Sequence, residues 1–295
     1  MSQSNQSVLM KNDCGRIYHL RLNPEDVADT VILVGDPDRT DMIARHFDTI
    51  HTEAYHREFR TVTGEFHGKR ITVLSTGIGA GGVEIAINEL DALVNLDPKT
   101  GKPLDKLTSL NLIRFGTTGA LQPDTAIGSV LVSEAAFAFD GLIKFYNKDT
   151  DATIQPLQKA LEDHFSNLSM VGGLYAAGAD PFLVDIFSDM GDRGITFTCN
   201  GFYAPQAREL RLPIRYPDLL DQAQDFSHEG SRITNLEMET AVIYGLAHQL
   251  GHKACSVSVA VANRHHNASG SYKQVVEDML DEFLERVSQH LRQED

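Results

Sequence analysis

The chain has 295 residues, of which 42% are hydrophobic, and it carries 41 acidic against 26 basic side chains for a formal net charge of -15. That balance argues against a nucleic-acid partner, whose backbone needs clustered Lys and Arg, but it leaves room for a local pocket that takes a small anion. Cys14, Cys199 and Cys255 are scattered without paired spacing, and neither a signal-type apolar core nor the roughly 20-residue apolar run of a membrane helix is present, so a soluble cytoplasmic protein with free thiols is expected.

Residues 1–13 read as a flexible lead-in and 14–295 as one domain. The apolar run Val31–Val34 ends in Gly35-Asp36-Pro37-Asp38, which predicts a buried strand, a turn and a helix start with Asp38 as N-cap. A second strand is expected over Arg70–Ser75, then the glycine-rich Thr76–Gly82, then an amphipathic helix over Val83–Leu96. The polar, turn-rich stretch Asn95–Lys106 reads as a surface excursion. Further strands are expected over Leu107–Phe115, Gly128–Ser133, Val171–Ala176 and Ala254–Ala262. Helices are expected over Glu237–Leu250, closed by Gly251, and over Tyr272–Leu291. Alternating strands and helices without a long linker define a single α/β domain with a mostly parallel or mixed sheet.

Three segments that follow apolar strands are rich in Gly, Thr or Arg: Gly35–Arg39, Ser75–Gly79 and Arg114–Gly119. Loops at the carboxyl ends of strands in open α/β sheets are where ligands bind. Glycine lets backbone N–H groups approach a ligand, helix N-termini add donors, and Arg39 and Arg114 add always-charged forks suited to an oxyanion. Together they describe an anion pocket with phosphate as its guest, although each loop alone also fits an ordinary strand–turn connection. Neither a dinucleotide fingerprint nor a nucleoside triphosphate loop is present.

Asn235–Thr240 carries Glu237 and Glu239 two residues apart at a predicted helix start. A carboxylate there suits sugar hydroxyls and a developing cation, and the same spacing fits acidic residues capping a helix. In the loop-like Gly201–Arg208, Gln206 and Arg208 suit a planar polar base and Phe202 a stacking partner, while a solvated loop with one buried aromatic fits equally. His265 and His266 are adjacent with no carboxylate at ligand spacing, so no metal site is expected. No GxSxG elbow stands ready for a serine nucleophile.

The ordered set GDPDR, HREF (His56–Phe59), STGIG, RFGTTGALQP, FYAPQAR, NLEMET and VANR resembles the nucleoside phosphorylase I family, and within it the uridine-cleaving branch, from about Tyr18 to the C-terminal helix. The resemblance implies a single α/β domain whose central mixed sheet is partly closed like a barrel and flanked by helices. It implies homo-oligomers, hexamers or dimers, with active sites shared between subunits. It places phosphate at Gly35, Arg39, Arg114 and Thr117, with Arg57 from a neighbouring subunit. It places ribose at Met238 and Glu239, with the neighbour's His19 at the 5′-hydroxyl, and the base at Thr118, Phe202, Gln206 and Arg208. Arg114, Arg208 and Glu239 carry the chemistry on this reading. The cosubstrate is inorganic phosphate, and no metal or organic cofactor is called for.

The implied reaction is phosphorolysis of uridine to uracil and ribose 1-phosphate. Gln206 and Arg208 favour a pyrimidine, and Ala262-Asn263-Arg264 offers no acid to protonate a purine N7. Thymidine, deoxyuridine or a purine nucleoside as substrate is the alternative, and a non-catalytic nucleoside-binding relative a further one. A water-using hydrolase is disfavoured because Arg39, Arg57 and Arg114 are all present. Leu236 departs from the aromatic usual in the family, and Gly82 from a serine that helps bind a monovalent cation between subunits in some relatives, which argues against that cation despite Glu58.

Overall fold

The computed structural model describes residues 9–147, 151–266, 268–269 and 272–291. Most of the lead-in expected over residues 1–13 lies outside them; of the rest, Lys11 forms an isolated bridge with Ile17. In chain order the elements are β1 (Thr30–Val34), α1 (Pro37–Ala44), β2 (Thr49–His56), β3 (Phe59–Phe66), β4 (Lys69–Ser75), α2 (Ala80–Asn95), β5 (Asn111–Ala120) and β6 (Val130–Ala138). Then come α3 (Gln155–His164), β7 (Tyr175–Gly178), α4 (Pro181–Phe187), β8 (Asp192–Thr198), α5 (Leu219–Asp225), β9 (Ser227–His228), β10 (Ser231–Glu237), α6 (Thr240–Leu250), β11 (Lys253–Asn263), β12 (Ala268–Ser269) and α7 (Tyr272–His290).

One mixed sheet runs through the molecule, and part of it closes on itself. Strand β11 pairs with β5 and with β6, β6 with β8, β8 with β10, and β10 back with β5. This ring is the barrel-like part of the single α/β domain. From it β1, β4, β3 and β2 extend as an open wing. Strand β1 is buried at every position between parallel neighbours β4 and β5, which is why its sequence is an unbroken apolar run. Core side chains from α2 and α6 cover one face, those from α4 and α7 another, and α3 and α5 pack over β6, β8 and β10. Phe283 of α7 stacks on Phe187 of α4 at 5.2 Å and tilts against Phe115 of β5 at 4.7 Å. Each such fully buried side chain contributes about 1.5–3 kcal/mol of hydrophobic stabilisation.

Several expectations are corrected. The strand expected to stop at Phe115 continues to Ala120, because β11 pairs with it along its whole length and the threonines are good strand residues. Gly116 is therefore not a turn signal. The helix expected from Glu237 starts at Thr240, since Asn235–Glu237 finish β10. The N-cap of α1 is Asp36, whose side chain accepts from the Asp38 N–H at 3.0 Å. The strand expected over Val171–Ala176 begins only at Tyr175, after a short 3-10 turn over Val171–Gly173. Helix α2 starts earlier than expected, at Ala80.

Candidate active site

The sheet splits at β5. Strand β1 pairs with Asn111–Arg114, and β10 pairs with Gly119 and Ala120 on the same side of the strand. Neither pairs with Phe115–Thr118, so the sheet is split along the second half of β5, the kind of place where α/β proteins bind ligands. Arg114 stands at its edge, 5% exposed.

Gly116 lets the Arg114 side chain fold back along its own strand: a Cβ there would lie 1.7 Å from Arg114 Nη1. Arg114 Nη1 then donates to Ser258 Oγ at 3.0 Å, and Nη2 donates to Glu239 Oε2 at 2.7 Å and lies 3.2 Å from Glu237 Oε2. Glu239 Oε1 in turn accepts from the backbone N–H of Gly79 at 2.7 Å. Gly79 has φ 93° and caps α2, so the glycine-rich segment between β4 and α2 is tied directly to the carboxylate that follows β10. The Met238 side chain approaches the same glycine. Gly35 joins them, because its Cβ position lies 3.6 Å from the Gly77 carbonyl oxygen.

Glu237 and Glu239 divide the two readings that their spacing left open. Glu237 is the capping group: it accepts from Thr198 Oγ1 at 2.6 Å, from the Glu239 N–H at 2.8 Å and from the Thr240 N–H at 3.0 Å. Glu239 is the carboxylate that faces Arg114. Burial pushes the Glu239 carboxyl up, Arg114 pulls it back, and the nearby Glu237 pushes it up again, leaving it raised. Burial opposes the charge on Arg114, yet Glu237 and then Glu239 hold it above the ordinary arginine value. The result is a buried, water-poor group of one guanidinium and two carboxylates, where electrostatic effects are strong.

Further along β5 lies a second group. Thr118 is buried, donates to the Leu236 carbonyl at 2.7 Å and accepts from Asn235 Nδ2 at 2.8 Å, so it fastens β5 to β10. By strand alternation Thr117 faces the other way and is half-buried. Past Gly119 sits Arg264, a residue to which the sequence assigned no contact. Its side chain comes within 3.4 Å of the Gly119 Cβ position, its Nη2 donates to the Gln206 carbonyl at 3.0 Å, and its Nε is buried without a protein partner among the described residues. Gln206 is buried, and its Oε1 accepts from Arg208 Nη1. Arg208 also donates to the Phe202 carbonyl at 2.7 Å, and its guanidinium lies 3.9 Å from the Phe202 ring centroid. Phe202 is exposed, as is Tyr203 beside it. Burial and then Arg264 lower the Arg208 pKa, and burial lowers that of Arg264. Asn263, where an acid was absent from the sequence, donates from its side chain to the Gln122 and Thr125 carbonyls at 3.0 and 2.7 Å.

Arg39, His19, Arg57 and Gly82 complete the candidates. Arg39 is buried in the first turn of α1, on the wall of a cavity of about 410 Å³ between α1 and α7. His19 and Arg57 form no hydrogen bond or ion pair with Arg114 or Glu239 among the described residues. His19 Nδ1 pairs with Glu89 Oε1 of α2 at 2.6 Å. Arg57 is exposed in the two-residue turn between β2 and β3. At Gly82 a Cβ would meet the Thr76 carbonyl oxygen at 2.0 Å, so this backbone has no space for the serine of the cation-binding relatives. His265 and His266 bond to Gln224 Oε1 and the Pro123 carbonyl, and no cluster of three or more His, Cys, Asp or Glu able to hold a metal occurs among the described residues. Nor is any described helix long and apolar enough to cross a membrane.

The fold has known counterparts. Residues 29–293 match the phosphorylase superfamily. The uridine phosphorylase of Thermococcus kodakarensis is 33% identical over 259 residues, 87% of this chain and 80% of that protein. The crystal structure of Trypanosoma brucei nucleoside phosphorylase, described as showing uridine phosphorylase activity, is similar with a TM-score of 0.83 at 24% identity, covering 95% of this chain and 98% of that one, a likeness of fold. Purine nucleoside phosphorylase from Toxoplasma gondii, in complex with immucillin-H, is similar with a TM-score of 0.65 at 25% identity, covering 96% of each chain. The chain belongs to the phosphorylase superfamily. Within it the protein is an enzyme of the pentosyltransferase class.

Proposed function

We propose that the enzyme cleaves uridine with inorganic phosphate, giving uracil and ribose 1-phosphate. The observation that carries the choice of base is the pair Arg208 and Arg264 beside Gln206, with no carboxylate bonded to either guanidinium among the described residues. As the N-glycosidic bond breaks, its electron pair goes to the base, and a cationic, acid-free pocket stabilises a uracil anion. A purine leaves most readily when an acid protonates N7, and Asn263 is committed to holding backbone carbonyls.

At the other end of the split along β5, Glu239 takes the ribose hydroxyls and offsets the positive charge that develops at C1′. Arg114, Arg39, Gly35 and Thr117 hold phosphate, one of whose oxygens attacks C1′ as the base departs. Uracil then collects its proton from water. The Arg114–Glu239 bond supports this division, since it fixes the phosphate cation against the ribose carboxylate and orients both before substrate arrives. Met238 packs against the sugar, Thr118 lines the base side, and Phe202 stacks on the base. The exposure of Arg57 and the pairing of His19 with Glu89 rather than with Arg114 or Glu239 among the described residues support their service in a second copy's site, so the working unit is a homo-oligomer. Phosphate is the cosubstrate, with no metal or organic cofactor, in the cytoplasm.

The test is base release from uridine, deoxyuridine, thymidine, inosine and adenosine, each with and without phosphate. Uridine should be the best substrate, and only with phosphate. Cleavage that ignores phosphate would overturn phosphorolysis, and preference for inosine would overturn the base assignment in favour of the purine reading that the Toxoplasma gondii likeness keeps in view.

A further inference from the structure

Two non-glycine residues with left-handed backbone, Arg21 (φ 60°) and Arg57 (φ 57°), flank one histidine. His56 ends β2 and leads directly into the Arg57-Glu58 turn. Its Nε2 lies 3.4 Å from Arg21 Nη2 and its Nδ1 lies 3.2 Å from the His19 carbonyl oxygen. A guanidinium has only donors, so Nε2 accepts, and Nδ1 carries the hydrogen and donates it to the carbonyl. The imidazole is thus held in one tautomer by two partners from the segment that bears His19. That segment is fixed on its other side by Glu89, which accepts from the His19 and Leu20 N–H groups at 3.0 and 2.9 Å. A two-residue hairpin loop with a left-handed first position favours glycine there. Arginine in that place is strained and persists because its surroundings over-determine it.

We propose that His56 is a positioning residue that couples the His19 segment to the Arg57 turn, so that the 5′-hydroxyl contact and the distal phosphate contact are presented to the neighbouring subunit as one rigid unit. This rests on the assignment of His19 and Arg57 to a shared active site. Removal of the imidazole frees both segments at once, although His56 touches neither substrate. A residue needed only for folding would change stability or the overall rate, without changing how the enzyme senses a single hydroxyl.

The experiment compares kcat/KM for uridine and 5′-deoxyuridine, the KM for phosphate, and Tm, in the wild type, His56→Ala, His56→Asn, His19→Ala and the His19→Ala/His56→Ala double variant. His56→Ala should reduce the preference for uridine over 5′-deoxyuridine by about two- to tenfold, the range of one hydrogen bond, and raise the phosphate KM by a similar factor. His56→Asn, which keeps a donor where Nδ1–H stands, should recover more of the 5′-hydroxyl preference than of the phosphate affinity. The double variant should lose no more preference than His19→Ala alone, because both act through the same contact. Additive losses, or an unchanged preference in both His56 variants while His19→Ala loses it, would overturn the coupling and leave the site assignment standing. An unaltered preference in His19→Ala would remove the assignment, and the coupling with it.

Discussion

Gly116 illustrates how much one hydrogen atom in place of a methyl group can decide. Its φ is not left-handed, so backbone freedom does not explain it. What does is the Arg114 guanidinium lying over its Cα, where a Cβ would stand 1.7 Å from Nη1. Gly116→Ala must therefore turn the guanidinium away from Ser258 and Glu239, while the strand itself accepts alanine. Overpacking of this kind costs about 1–3 kcal/mol. The phosphate KM should rise at least tenfold, with a change in Tm of only a few degrees, measured by steady-state kinetics and thermal melting. A variant with normal phosphate KM would show that Arg114 does not need this position, and the phosphate role assigned to it would lose its geometric basis.

Between elements, side chains do the fastening. The 3-10 turn Leu142–Phe145 hands Tyr146 to α2, where its hydroxyl donates to Glu84 Oε1 and accepts from Asn88 Nδ2 at 3.0 Å. Burial, then the hydrogen bond to Glu84, pushes the Tyr146 pKa up to about 12. A raised folded-state value means that this stabilisation is complete below the unfolded value near 10 and is lost as pH rises toward about 12. The stability advantage of the wild type over Tyr146→Phe should thus be constant from pH 8 to roughly 9.5 and shrink above 10, measured by denaturant unfolding. A difference that stays level to pH 11.5 would contradict the assignment; the buried Tyr175 and Tyr244 are common to both proteins and cancel. The same fastening explains what the sequence disclosed. Strand β1 is legible because burial on both faces leaves an apolar run, and β4 and β11 because their buried runs are broken only by the small hydroxyl residues Thr72, Ser256 and Ser258. Strand β10 is hidden because its interior residues Thr234 and Asn235 are polar: Thr234 donates to Asn235 Oδ1, and Asn235 bonds to Thr196 and Thr118, neighbours that only the fold supplies. The β2–β3 hairpin is hidden by the largely exposed face of β2 and by arginine where the turn favours glycine. Arg114, Glu239, Gln206 and Arg208 were recognisable by residue type and motif order, but that Arg114 and Glu239 are bonded, and that Arg264 completes the base end, depends on contacts across 125 and 58 residues of sequence.

At the scale of the molecule, β5 is the spine of the site. The glycine segments after β1 and β4 meet at its first half with Arg114 and Glu239, and the base loop meets its far end through Arg264. His19, His56 and Arg57 form a separate outward-facing group on the wing of the sheet and the N-terminal segment. If that group serves a second copy, each site takes Arg114 from one subunit and Arg57 from another, and lesions in the two can complement. Arg57→Ala and Arg114→Ala should each be nearly inactive alone. When the two are co-expressed and assemble at random as two-fold dimers, half the dimers are mixed, and in each of these one site has both arginines intact and the other has neither. About a quarter of the sites should therefore recover, seen as roughly that fraction of wild-type activity in the mixture. Mixing the separately purified, non-exchanging variants should restore nothing. Absence of recovery in the co-expressed sample, with mixed oligomers verified by two different affinity tags, would place Arg57 in the site of its own subunit or outside the site altogether, and the His56 coupling would then have no neighbouring subunit to serve.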